Sequence, residues 1–93
     1  MTELSDHFTA SIARRARWAL LHNDGHPDRA WSTGEQLAVA LVLRDQQHLD
    51  EMGYTADEAV QRVRGGMWAP PPPGQFTAWL DTIRAEIGYE VLP

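Results

Sequence analysis

Apolar residues recur along this chain at steps of three and four rather than two, a pattern that predicts an all-α domain. Leu4, Phe8, Ile12, Ala16, Ala19 and Leu20 make one stripe, so residues 5–22 are expected to form a first helix capped by Ser5 or Asp6. Asn23 to Trp31 sets Gly25 and Pro27 among short polar groups and reads as a loop. Ser32 and Glu35 then make a capping box, opening a helix expected to run to about Met52. Its middle, Leu37 to Leu43, is apolar on every face. A buried strand could carry such a run, but good helix formers continue through Leu49, well past the ~5–6 residues of a typical strand. An element apolar all round is expected to be the central helix on which the others pack.

The next junction is a compact one. Gly53 can take the left-handed conformation that ends a helix, and Thr55 with Glu58 supplies a second capping box. The third helix, 56–65, turns Ala56, Ala59, Val60 and Val63 to one side and ends at Gly65-Gly66, with Tyr54 held at its entrance as a staple near Ala59. Pro70 to Pro73 favour polyproline II and are expected to connect to a last helix, about 75–87, striped by Phe76, Trp79, Leu80, Ile83 and Ile87 and stopped by Gly88. The expectation is one compact four-helix domain spanning 1–93, with an apolar tail from Tyr89 to Pro93.

Composition narrows the function classes. The chain has no cysteine, which removes disulfides and thiolate metal sites and suits a reducing cytoplasm. No basic-then-apolar leader opens it, and Leu37 to Leu43 is far short of the roughly 20 residues that span a bilayer. The net charge of −5 argues against general affinity for nucleic acid. Four Trp are many for 93 residues, and such rings supply contact area at interfaces as well as in cores.

Few residues suggest chemistry. His22, Asp24, His26 and Asp28 alternate along the first loop, but their spacing matches no strong zinc pattern and suits an ordinary turn-rich connector. Ser and Thr sit mostly at caps and no histidine has a partnered nucleophile, so no catalysis, cofactor or metal is expected. Arg14, Arg15 and Arg17 beside Trp18 form the basic cluster, with Arg15 leaning to the apolar side and Arg14 and Arg17 away from it; a solvated face with local ion pairs is the plainer account. Trp68 beside the tetraproline could be displayed to an aromatic groove or could cover the core edge. The corner at 49–65 has the outline of a helix-turn-helix, yet Asp57 and Glu58 would meet the phosphates first.

Two resemblances follow from these residues. Met52-Gly53-Tyr54 with Glu58-Ala59 resembles the first half of a ubiquitin-associated domain, whose third helix is not matched by the Gly65-Gly66 and tetraproline stretch. Ala30-Trp31-Ser32-Thr33-Gly34-Glu35 through Leu43, with Met52-Gly53-Tyr54-Thr55, resembles small accessory proteins of actinobacteriophages, some of them toxic to the host; a basic complement made wholly of Arg fits a high-GC genome. That resemblance implies a non-enzymatic cytoplasmic protein that binds and modulates a host protein such as a growth or division scaffold. The interaction candidates are Arg14, Arg17, Trp18, Tyr54, Trp68, Val91 and Leu92. The alternatives are a DNA-associated regulator using the 49–65 corner or the Arg14 to Arg17 cluster, and a homo-oligomer in which Val91, Leu92 or an exposed Trp completes a neighbour's core.

Overall fold

The computed structural model describes residues 7–67 and 69–89, and among these there are five helices and no strand. They are α1 (His7–His22), α2 (Thr33–Val42), α3 (Gln46–Met52), α4 (Ala56–Gly65) and α5 (Pro73–Ile87). α2 is the centre, as its all-round apolar run requires: Leu37 to Leu43 are buried throughout, and α2 touches each of the other four helices. Ile12, Ala16 and Ala19 from α1, Ala59 and Val63 from α4, and Phe76, Leu80 and Ile83 from α5 close around it. Trp79 ties α5 to α1 by donating its Nε1–H to Thr9 Oγ1 at 3.0 Å, with Phe8 stacked on the indole at a centroid distance of 6.0 Å.

Both capping boxes form. Ser32 and Glu35 exchange hydrogen bonds at the start of α2, as do Thr55 and Glu58 at the start of α4. Gly53 ends α3 at φ +81°, with its N–H bonded to Asp50 O and that of Tyr54 to Leu49 O. Gly88 ends α5 in the same way, through Ala85 O and Arg84 O.

The helix expected from 32 to 52 is two helices, which raises the count from four to five. The chain breaks at Leu43-Arg44-Asp45 by the same two-bond closure, with Arg44 N bonded to Leu41 O at 3.3 Å and Asp45 N to Ala40 O at 2.8 Å. Here Arg44, at φ +55°, occupies the left-handed position that glycine holds in the other two closures. Distant partners explain the break. In a continuous helix the carbonyls of Leu41, Val42 and Leu43 would accept from the N–H groups of Asp45, Gln46 and Gln47. Instead Arg84 Nη2 donates to Leu41 O at 2.8 Å, Arg84 Nε to Val42 O at 2.7 Å, and Tyr89 OH to Leu43 O at 3.0 Å. Arg84, buried in α5, also pairs with Asp81, and its charge lies at the negative end of the α2 dipole.

The last helix also begins earlier than expected. Pro73 is its first residue, a place where a missing N–H costs nothing, and only Pro70 to Pro72 lie outside it. Arg64 Nε donates to Pro71 O at 3.0 Å, fastening this stretch to α4.

Candidate functional site

Two neighbouring features carry the unusual polar geometry and the unusual exposure of this molecule. The first is the 23–31 loop, folded over the α2–α3 joint. Asp24 and Gly25 are both left-handed, at φ +56° and +80°, and turn the chain back sharply after α1. Asn23 Nδ2 braces the turn by donating to His26 O at 2.9 Å and Pro27 O at 3.3 Å. His26 is thereby brought to the joint, where its Nδ1–H donates to Asp45 Oδ2 at 2.6 Å. The other carboxylate oxygen, Oδ1, accepts from His48 N at 3.1 Å and caps α3. One aspartate thus starts a helix and holds a loop. Its side chain is only 6% exposed, against 45% for that of His26.

Gln36 fastens the second half of the loop. Its Nε2 donates to Trp31 O at 2.8 Å and to Arg29 O at 3.2 Å, and two carbonyl partners leave the amide oxygen facing His48. His48 Nε2 therefore donates to Gln36 Oε1, at 2.9 Å. Arg29 pairs with Glu51 across the same gap. Between loop and α3 lies a cleft of about 440 Å³, lined among others by Trp18, Asp24, His26, Arg29, His48 and Glu51.

The two histidines are pushed in opposite directions. The hydrogen bond to Asp45, and then the charge of Asp45, raise His26 above the ordinary value of 6.5, with Asp24 and Glu51 adding to it. Burial lowers His48 below 6.5, against the opposing pull of Asp45. The cleft thus biases its two histidines oppositely, His26 toward the cation and His48 toward the neutral ring.

The second feature is the outer face of α1. Arg14, Arg17, Trp18 and Leu21 recur at steps of three and four, and all four are exposed; Trp18 is 37% and Leu21 70% accessible. Trp18 and Trp31 of the loop meet in an edge-to-face arrangement at 5.5 Å, and the Arg15 guanidinium lies over the Trp31 ring, also at 5.5 Å, while pairing with Glu35 at 3.5 Å. Arg17 donates to Glu86 O at 3.1 Å, whereas Arg14 makes no ion pair among the described residues. A tryptophan pair rimmed by cations, with Trp18 exposed and Trp31 half-buried against the core, thus lies beside the cleft.

The other sequence-derived candidates are dispersed. Tyr54 and Met52 are half-buried against the core, and Tyr54 lies one residue before the Thr55 cap. Asp57 and Glu58 are exposed in the first turn of α4, Glu58 returning to Thr55 N at 3.0 Å. Trp68, Val91 and Leu92 lie outside the described residues. Among the described residues no set of three or more His, Asp or Glu side chains is placed to hold a metal ion, so the His22, Asp24, His26, Asp28 alternation does not converge on one point. No described helix is long and apolar enough to cross a membrane.

Sequence reasoning missed Asp45, Gln36 and Leu21. Asp45 lay inside what read as one long helix, although an Asp three residues before His48 is an N-cap signal. Leu21 was hidden by Leu20, which the stripe selected and which is itself 38% exposed. No protein-family model, curated protein or solved structure matches this chain significantly.

Proposed function

We propose that this protein is a non-enzymatic binding module whose outer α1 face docks on another protein. The observation that carries the reading is the exposure of Trp18 and Leu21 on one helical face with Arg14 and Arg17. A leucine and a half-open indole side by side on one helical face offer apolar area that a partner can bury, and aromatic and Arg side chains are the commonest energetic anchors of interfaces. The cationic rim, on a chain of net charge −5, selects a partner surface that is apolar at its centre and acidic at its edge. The resemblance to actinobacteriophage accessory proteins makes a cytoplasmic host protein the favoured partner, modulated or inhibited by being bound.

The test is affinity capture from an actinobacterial lysate with the wild-type chain, Leu21→Asp and Arg14→Glu. A partner retained by the wild type and lost from both variants supports the reading. Identical captured sets from all three would sink it.

A further inference from the structure

The loop that carries Trp31 is held by two attachments of different chemistry. The second half is fastened by the Gln36 amide and the Arg29–Glu51 pair. The first half, from Asn23 to Asp28, is tied back to the end of α1 by the N–H groups of Asn23 and Gly25 on Ala19 O, and among the described residues His26 with Asp45 is the polar contact that carries it to the α2–α3 joint. That contact closes on Asp45, the residue that caps α3 just after α2 has ended, next to Arg44 in its left-handed conformation. We propose that the His26–Asp45 contact is a latch opened by loss of a proton, and that it regulates the α1 docking face through Asp28, whose carbonyl accepts from Trp31 N at 3.1 Å and joins the latched half of the loop to the Trp31–Trp18 contact. The effect on docking rests on the proposed binding role of α1; the latch itself does not.

The surroundings define when the latch is closed. His26 faces Asp45 from the joint, Asp24, Asp28 and Arg29 from its own loop, and His48 and Glu51 from α3, while α1 presents the uncharged Trp18. Arg29 is occupied by Glu51, so the net field favours an imidazolium at His26. A neutral His26 could keep its Nδ1–H toward Asp45, but the charge that makes this bond strong would be gone. His48, a neighbour in the same cleft, donates its Nε2–H to Gln36 and is biased toward the neutral ring by its burial.

For His26, whose folded value is raised, the stabilisation is fully present below 6.5 and lost as pH rises through the raised value. For His48, whose folded value is lowered, closure weakens as pH falls below 6.5 toward the lowered value. The loop is therefore most tightly closed near pH 6.5 and loosens on both sides, with the alkaline limb belonging to His26.

The experiment uses the full chain and NMR at pH 5.5 to 8.5, following the His26 ring, the exchange protection of amides 24–28 and the Trp31 indole N–H. His26 is expected to titrate above 6.5 in the wild type. On the alkaline limb the loop-opening constant should rise by up to about tenfold per pH unit, because one proton is linked to opening. In Asp45→Asn, where Asn keeps the helix cap, the His26 titration should fall back toward 6.5. In His26→Gln the alkaline limb should disappear. A wild-type His26 that titrates at or below 6.5, or an alkaline limb retained in His26→Gln, would overturn the latch. A loop that opens while the Trp31 indole resonance stays fixed would overturn its control of the docking face. Leu21→Asp, which tests the docking reading, lies outside the loop and should leave the pH profile unchanged, so the two ideas fail separately.

Discussion

At the scale of single residues, three helix ends offer the same backbone problem with two answers. Gly53 and Gly88 take the left-handed position at φ +81° and +74°, and Arg44 takes it at +55°. A side chain there costs roughly 1 kcal/mol of backbone strain. Arg44→Gly should relieve it and raise stability by about 0.5 kcal/mol, after the entropy that glycine adds to the unfolded chain. Gly53→Ala should do the reverse and lower stability by about 1 kcal/mol, although nothing lies within 4 Å of the added Cβ. Urea denaturation of both variants checks the pair; equal shifts of the same sign would contradict the strain argument. Asp45 carries more than its size suggests, because one carboxylate caps α3 and holds His26. Asp45→Ala should cost about 1 kcal/mol for the cap alone, and should cost more near pH 6.5 than after pH has risen through the raised His26 value, where His26 loses its charge.

At the scale of elements, the α2–α3 break is a tertiary decision rather than a local one. Arg84→Met would leave the Val42 carbonyl without its buried donor and the Leu41 carbonyl with Arg44 N alone, and the expected loss is about 2 kcal/mol, read from the urea midpoint. A loss below about 1 kcal/mol would mean that the break is held by local sequence instead. The same contrast explains what the sequence discloses. Both capping boxes and the Gly53 and Gly88 ends were legible because their partners lie within a few residues. The apolar run of Leu37 to Leu43 was legible as the central helix because burial on all sides demands it. The break at Arg44 was not, since its donors sit 42 and 43 residues away and an arginine gives no turn signal. The loop site divides similarly: the His22 to Asp28 alternation marked the loop, but His26 meets Asp45 across 19 residues, and no period in the sequence connects them.

At the scale of the whole molecule, a radius of gyration of 12.2 Å matches the ~12 Å expected of a compact chain of this length. Its surface, however, is uneven: excess acid overall, and a cationic aromatic face on α1. Leu21→Asp should therefore change folding stability by less than about 0.5 kcal/mol while abolishing partner capture. A large loss of stability would place Leu21 in the fold rather than at an interface. The charge pattern also predicts that capture weakens with rising salt, because the cationic rim contributes through screened interactions.

The order in which the chain assembles is written into the guanidinium of Arg84. The bonds it makes to Leu41 and Val42 can form only after α5 has docked, so they close a long stretch of chain late in folding. Contacts absent from the folding transition state leave the folding rate nearly unchanged when removed, and appear in the unfolding rate. Stopped-flow kinetics of Arg84→Met should show that asymmetry. The α2–α3 corner is then a fastening made last, whose strength sets how long the folded state lasts rather than how quickly it is reached.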